Sequence, residues 1–349
     1  MDVSVVVPTY NRRQLLAQTL NSLRQQKAGA IRYEVIVVDN DSSDDTPTVV
    51  AQFREGWPDL KYAHEPRRGV SHARNTGIGA AQADIIAFTD DDVEPQPTWV
   101  ASIKQAFDAH PEVDCIGGRI NARWTTAPPS WLTTSFWGPI ALQGPKGDSP
   151  YVDASCASRC LMTANFACRR SALLEVHGFS PDYLRDEDRE LQLRLWRAGK
   201  RGIYIDSVVV TTEVPSERLT KRYHRQFYTR AAAAHARMRF LDSINAEGRL
   251  VPEMPDALKL FGSPGFVFRS FVHHLSRWAL SVATLNWGQA FFHETRMLYF
   301  ASYIWTRHRQ EGPVWHALPR DCVRFARGVW GKRARTRRER SASGPLAQV

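Results

Sequence analysis

Three consecutive aspartates, Asp90, Asp91 and Asp92, close the apolar run Ile85-Ile-Ala-Phe88. Carboxylates crowded at one strand end repel each other unless a cation or strong hydrogen-bond donors compensate. Oxygen ligands suit Mg²⁺ or Mn²⁺, and such ions commonly carry a bound diphosphate. A solvated acidic turn is the alternative for the same residues. Asp39 ends an earlier apolar run. In nucleotide-binding α/β folds that position meets a ribose or a base. The first apolar run is followed by Thr9-Tyr-Asn-Arg-Arg13 and not by a glycine-rich turn. A dinucleotide therefore fits badly, and a single nucleotide held through carboxylates and a metal fits better. Glu187 and Asp188 open a helical pattern, where the helix dipole favours the anion. Ordinary capping explains that placement, and so does a general base poised to take a hydroxyl proton.

The elements that must position these groups alternate between strand and helix. Ser4–Pro8 reads as a buried strand, and Leu16, Leu20 and Leu23 keep helical spacing after it. Tyr33–Asp39 is a second strand. Ser42 and Ser43, followed by Asp44 and Asp45, predict an N-cap with acidic residues in the first turn of a helix running to about Phe53. Leu60–His64 is a third strand, Ser71–Ala81 a helix and Asp84–Thr89 a fourth strand. Pro97 starts a helix ending near His110, and Cys115–Ile120 is a further strand. Such alternation predicts an α/β fold with a mostly parallel sheet covered by helices, its ligands at the carboxyl ends of the strands. Residues 122–160 read as a long loop, and a helix over Asp186–Ala198 is closed by Gly199.

Four segments in order resemble family 2 glycosyltransferases of the GT-A fold: Ser4-Val-Val-Val-Pro-Thr-Tyr-Asn-Arg12; Val37-Val-Asp-Asn-Asp-Ser-Ser-Asp-Asp-Thr46; Gly69-Val-Ser-His-Ala-Arg-Asn-Thr-Gly77 with Phe88-Thr-Asp-Asp-Asp92; and Asp186-Glu-Asp-Arg-Glu-Leu191. The resemblance covers roughly residues 1–230. It implies that Pro8, Thr9 and Tyr10 lie along the nucleotide. Asp39 would bond the base, typically uracil, and Arg74 would approach the nucleotide or its phosphates. Asp92 would reach Mn²⁺ or Mg²⁺, with Asp90 as its partner in the metal-binding pair. Asp90 or Asp91 would meet the ribose or sugar. Asp188 would be the catalytic base, with Glu187 supporting the acceptor and Asn165 near the donor sugar or acceptor. The implied reaction moves one sugar from a nucleotide-diphosphate sugar, a UDP-sugar favoured, to a hydroxyl of a glycan or lipid-linked acceptor, with inversion.

One departure stands out. Relatives often carry a His just before a Val-Pro-x-Glu-Arg-Leu-Thr segment, where it can ligate the metal. Here Val214-Pro-Ser-Glu-Arg-Leu-Thr220 is intact, and Thr212 occupies the histidine position. A hydroxyl is a poor substitute for imidazole, so weaker metal affinity, or a water in that place, is expected. Glu213 points away if Thr212 faces the site, because neighbours along a strand alternate. A nucleotidyltransferase of the same fold would need a Gly-rich loop after the first strand, which is missing. A third reading is a non-catalytic basic scaffold binding membrane or RNA through residues 261–340.

The remaining chain bounds these readings. With 46 Lys+Arg against 36 Asp+Glu the net charge is +10, which points to an acidic partner. The expected organisation is a glycosyltransferase domain over 1–230, with 122–160 as an acceptor-side loop, a helical membrane-associated extension over 231–318 and a basic, partly disordered tail over 319–349. The aromatic stretch 261–309 is interrupted by Arg269, Arg277, Glu294 and Arg296, which predicts amphipathic helices and not a spanning segment. With no secretory signal apparent, the expected place is the cytoplasmic, inner face of a membrane. The surface there would be anionic, and no nucleic acid is expected. Arg218, Lys221, Arg222, Arg225 and Arg230 form either a solvated face or a phosphate clamp. Trp124, Trp131 and Trp137 are either loop anchors or sugar-stacking groups. Cys156, Cys160 and Cys168 lack metal-ligand spacing, and His273-His274 reads as a surface or interfacial pair.

Overall fold

The computed structural model describes residues 1–144, 151–245, 247–252, 259–310 and 323. Two compact units emerge: Met1–His224 with Glu247–Leu250, and Arg225–Ala246 with the chain from Val251 onward. The division falls ahead of the boundary expected at 230. All of the tail over 319–349 except Val323 lies outside the described residues, as do residues 145–150 of the loop.

The first unit runs β1 (Val3–Thr9), α1 (Arg13–Arg24), β2 (Tyr33–Asp39), α2 (Thr46–Arg54), β3 (Leu60–His64), α3 (Val70–Ala80), β4 (Ile85–Phe88), β5 (Val93–Pro95), α4 (Trp99–Ala109), β6 (Cys115–Trp124), β7 (Tyr151–Val152), β8 (Phe166–Arg169), α5 (Arg170–Glu175), α6 (Glu187–Arg197) and β9 (Gly202–Val214). Helix α7 (Lys221–Arg237) begins in this unit and continues into the second. The strands form one sheet in the order β3-β2-β1-β4-β8-β6-β9-β5, with β7 on β9. Following the pairings outward from β1, β1, β2, β3, β4, β6 and β9 run one way and β5, β7 and β8 the other. The sheet is thus mostly parallel, as expected of the GT-A fold.

Strand β1 is central and buried along its whole length. A parallel strand covered on both faces reads as a continuous apolar run, which is why Val3, Val5, Val6 and Val7 show no alternation. Ser4 is tolerated there because its hydroxyl donates to Glu34 Oε1 at 2.5 Å and accepts from Ala83 N–H at 3.0 Å. Leu16, Leu20 and Leu23 bury one face of α1, as their spacing predicts. Helix α3 lies tight on β1 because Gly77 faces Val6, where any Cβ would collide with the valine side chain.

Two expectations need correction. Ser42 and Ser43 do not cap α2, which begins at Thr46 with no acidic residue in its first turn. Their amides are taken by other partners: Asp39 Oδ1 accepts from Ser42 N–H at 2.9 Å and Asn11 Oδ1 from Ser43 N–H at 2.7 Å. Strand β6 continues past Ile120 to Trp124, because β9 offers a parallel partner as far as Val214, with a register shift between Gly118 and Arg119. The expected loop from 122 therefore starts later, and short helical turns at Thr134–Phe136, Gly138–Ile140 and Ala154–Cys156 interrupt it.

In the second unit, α8 (Gly265–Ala283) and α9 (Trp287–Gln310) pack against one another. Beneath them the buried Asp242 accepts from Tyr303 hydroxyl at 3.1 Å and pairs with Lys259 and Arg307 at 3.1 and 3.2 Å. His273 is exposed. His274 instead turns between the helices, its Nδ1 2.9 Å from Nδ1 of His293 and its ring stacked on Phe300. Among the described residues no helix is long and apolar enough to cross a membrane.

Candidate active site

The carboxyl ends of β1 and β4 lie side by side and open into a cleft of about 790 Å³. This is where a parallel sheet presents ligands. Pro8 and Thr9 line it from β1, Tyr10 from just after β1, and Asp90, Asp91 and Asp92 from the segment after β4. Glu187 enters from the first turn of α6 and Thr212 from β9. Arg12, Arg68, Arg185 and Arg218 supply positive charge to the same walls.

The three aspartates, in the turn between β4 and β5, divide their tasks. Asp91 turns inward and is 5% exposed. It accepts from the Thr9 hydroxyl at 2.7 Å and from Arg12 Nη1 at 3.1 Å, while its carbonyl accepts from Thr19 at 3.0 Å. Burial pushes its carboxyl up to about 6, against the pull of Thr9 and Arg12. Asp90 and Asp92 keep more of their side chains open, 34% and 26%. Asp92 Oδ2 accepts from Arg12 Nη1 at 3.0 Å.

Arg74 is buried and does not line the cleft. Its Nη2 donates to Asp90 Oδ1 at 3.1 Å and its Nη1 to Glu187 Oε1 at 2.6 Å. It ties the aspartate segment to the start of α6 from behind. Asp186 enters α6 with left-handed backbone, φ 56°. Asp188 is half-buried, and one carboxylate oxygen accepts from Arg189 N–H at 2.8 Å. Burial, reinforced by the negative charge of Glu187 and Asp186 and opposed by Arg189, pushes its carboxyl up to about 7. A carboxyl tuned to that range can exchange a proton near neutrality.

Asp39 is buried and accepts from Ser42 N–H and, at 2.8 Å, from the Tyr62 hydroxyl. Its neighbour Asn40 lines the cleft instead. Asn40 donates to the carbonyls of Glu65 and Arg67 and accepts from Gly69 N–H at 2.7 Å. It thereby holds the loop that carries Arg68 and Gly69 into the cleft, with the Arg68 guanidinium 4.2 Å over the Tyr10 ring. Asn165 is fully buried. It accepts from Trp99 Nε1–H at 2.8 Å and donates to the carbonyls of Arg119 and Val208, both at 2.9 Å. Ala164, not Asn165, lines the cleft. Trp131 packs edge-on against Phe136 and His224, an anchoring role.

Sequence reasoning missed Arg12, Asn40, Arg68 and Arg185 as cleft residues. The signal for Asn40 was its place directly after a strand-ending aspartate. Arg12 stood in the Ser4–Arg12 motif just past the first strand, whereas Arg68 and Arg185 reach the cleft from distant loops that carry no local signal.

The donors near the cleft mouth are all oxygen. Among the described residues no three His, Cys, Asp or Glu side chains form a ready-made ion nest. Mg²⁺-type ions are commonly held by one or two carboxylates plus substrate phosphates, so Asp90 and Asp92 fit such an ion arriving with a diphosphate. Thr212, buried in the cleft wall, leaves the histidine position without an imidazole, and Glu213 faces solvent.

The sequence profile described as Glycosyl transferase family 2 matches residues 4–174. The pre-mycofactocin glycosyltransferase of Mycobacterium tuberculosis is 30% identical over 233 residues, 66% of this chain and 47% of that protein. The glucosyl-dolichyl phosphate glucuronosyltransferase of Haloferax volcanii is 23% identical over 214 residues, 58% of this chain and 66% of that protein. The chain thus spans about half to two thirds of the length of these relatives. Among solved structures, the mannosyltransferase PcManGT of Pyrobaculum calidifontis, in complex with GDP-Man and Mn²⁺, overlays with a TM-score of 0.55 at 22% identity. That overlay covers 89% of this chain and 88% of PcManGT. S. aureus TarS in complex with UDP overlays with a TM-score of 0.51 at 18% identity, over 89% of this chain and 92% of that one. These overlays speak to the fold alone; the profile match over residues 4–174, with the ordered motifs around the cleft, places the chain in glycosyl transferase family 2.

Proposed function

We propose that this chain transfers a single sugar from a nucleotide-diphosphate sugar, a UDP-sugar favoured, to a hydroxyl of a glycan or lipid-linked acceptor, inverting the anomeric centre, at the inner face of a membrane. The observation that carries the reading is the cleft that brings Asp90, Asp92 and Glu187 together at the carboxyl ends of the strands; Asp188 follows Glu187 and is not itself among the cleft-lining residues, and its carboxyl is pushed up to about 7. Neighbours in the fold were solved with UDP, and with GDP-Man and Mn²⁺, which supports the donor class.

In this reading Tyr10 and the Asn40-held loop cradle the nucleotide. Asp90 and Asp92 would hold Mn²⁺ or Mg²⁺, which supplies charge neutralisation for the departing diphosphate. Arg12, Arg68, Arg185 and Arg218 add fixed positive charge around it. Ionised Asp188 takes the proton of the acceptor hydroxyl as that oxygen attacks the anomeric carbon opposite the leaving diphosphate. One displacement with an oxocarbenium-like transition state inverts the centre. Arg74 holds Glu187 and Asp90 at a set spacing, which fixes the acceptor side against the donor side.

The test is release of nucleotide from a panel of UDP-, GDP- and dTDP-sugars by purified protein with Mn²⁺, Mg²⁺ or EDTA. Metal-dependent release from one donor, lost in Asp92→Asn, is expected. Binding of no nucleotide in the presence of metal would overturn the reading. The same protein making a nucleotide sugar from a nucleoside triphosphate and a sugar phosphate would favour the nucleotidyltransferase alternative.

A further inference from the structure

Helix α8 ends at Ala283 and α9 begins at Trp287, so Thr284, Leu285 and Asn286 alone make the turn between them. The turn is a closed Schellman motif: Asn286 N–H donates to Ser281 O at 2.8 Å and Leu285 N–H to Val282 O at 3.1 Å. Asn286 then caps α9, its Oδ1 accepting from Gln289 N–H at 3.2 Å. The motif needs left-handed backbone at the residue after the cap, and Leu285 supplies it with φ 55°. Glycine fills that position without steric cost. The residue here is instead a leucine that is 69% exposed, with Leu280 at 54% in the last turn of α8 and Trp287 at 60% at the start of α9. A well-bonded turn and the helix ends beside it thus leave three large apolar side chains in solvent.

Between Leu260 and His293 the sequence contains no Asp or Glu and carries Arg269 and Arg277; Glu294 just beyond is paired with Arg225. Arg269 and Arg277 are both exposed on α8. Apolar side chains with cationic flanks fit the boundary of an anionic bilayer: leucines enter the acyl region, tryptophan sits at its edge and arginines reach the head groups. No described helix is long and apolar enough to cross a membrane, so interfacial docking is the mode this geometry allows. A second copy of the chain is a poorer occupant. A stable protein interface takes about 20–30 residues a side, and a convex turn offers far fewer.

We propose that the α8–α9 turn is the membrane-docking element of this chain, seating Leu280, Leu285 and Trp287 in an anionic lipid surface. The proposal rests on the membrane placement given under the proposed function and names the residues that achieve it. Sedimentation of the full chain with vesicles of phosphatidylglycerol and phosphatidylcholine, and with phosphatidylcholine alone, tests it. Leu285→Gly relaxes the backbone while deleting the apolar side chain, so it preserves the turn; Trp287→Ser is combined with it. Wild-type protein is expected to partition onto the anionic vesicles, and the double variant to lose about 30-fold or more in partitioning. Its melting temperature and nucleotide-sugar turnover in solution should be retained. Equal partitioning of variant and wild type would overturn the proposal and leave the membrane placement standing. Failure of wild-type protein to bind either vesicle would overturn both. Vesicle binding that is unchanged while the double variant dissociates a dimer would identify the turn as a self-interface and also overturn it.

Discussion

Replacing Asp188 by asparagine should disable the chemistry and stabilise the protein. Burial, with Glu187 and Asp186 adding to it, raises the carboxyl from 3.8 to about 7. A raised acid pKa means that the folded state holds the proton more tightly than the unfolded chain. The ionised form therefore costs stability. That cost is absent below about pH 4, grows as pH rises toward about 7 and is constant above it. At about 1.4 kcal/mol per pKa unit, a rise of about three units bounds the cost near 4 kcal/mol. Partial exposure of Asp188 and screening by solvent reduce it, so about 1–3 kcal/mol is the expected gain for the neutral amide. Asparagine keeps an oxygen that can accept from Arg189 N–H, so no buried donor is orphaned.

For a domain of this size the gain corresponds to a melting temperature higher by roughly 3–10 °C at about pH 8, fading as the pH approaches about 4. The same substitution removes the proposed base, and turnover should fall by about 10²–10⁴. In wild-type protein kcat/KM should drop about tenfold per pH unit below about 7, as Asp188 takes up its proton. Thermal melts across that range, paired with nucleotide release at each pH, read both effects. A variant that melts below wild type at alkaline pH would show that the ionised carboxylate holds the fold together. A variant that keeps near-normal turnover would remove Asp188 from the base role. Either result refutes the reasoning.

Three further outcomes follow from the cleft and from the packing around Asn165. Arg12 Nη1 sits 3.0 Å from Asp92 and 3.1 Å from Asp91, in the place a divalent ion would contest. Because its side chain is 47% exposed, the two contacts are worth only about 1 kcal/mol together, and Arg12→Gln should tighten Mn²⁺ binding about fivefold by electron paramagnetic resonance. Thr212→His restores an imidazole to the buried cleft wall and should raise Mn²⁺ affinity in the presence of nucleotide diphosphate, read by calorimetry; unchanged affinity would mean that this wall does not face the ion. Gly118→Ala drives a Cβ into the Val208 carbonyl and the Asn165 amide, and should lower stability by about 1–3 kcal/mol in denaturant titration.

The parts of this molecule that were legible in sequence are those decided locally. Strands β1, β2 and β4 announced themselves because a parallel strand buried on both faces must be apolar throughout. Asp90–Asp92 and Glu187-Asp188 were legible because strand ends and helix starts are where a sheet of this kind concentrates charge. Other features depended on contacts that no local pattern records. Arg74 meets Glu187 across 113 residues, and Asn75 meets Phe179 across 104, so neither partner is visible from the other's neighbourhood. Asn165 looked like a cleft residue, yet its amide is fully engaged by Trp99 and the carbonyls of Arg119 and Val208. Helix α2 starts later than the capping pattern predicts because Asn11 accepts from the amides of Ser43 and Asp44.

The placement of Arg74 also changes how the site's charge balance is understood. Four carboxylates, Asp90, Asp91, Asp92 and Glu187, line one cleft. Left alone they would repel each other and draw in any available cation. Arg74, buried behind them, neutralises one oxygen each of Asp90 and Glu187, and Arg12 in front does the same for Asp91 and Asp92. The buried pairings are permanent, because an unpaired guanidinium there would carry the full cost of desolvation. The exposed one is exchangeable, because solvent already shares the Arg12 side chain. Arg74 thus sets the distance between the aspartate segment and α6 through one oxygen each of Asp90 and Glu187, and the contact of Arg12 with Asp92 is the exchangeable one, which in the proposed reading a metal-bearing diphosphate would displace. Such a cleft stays assembled without its ligand and still yields charge to it.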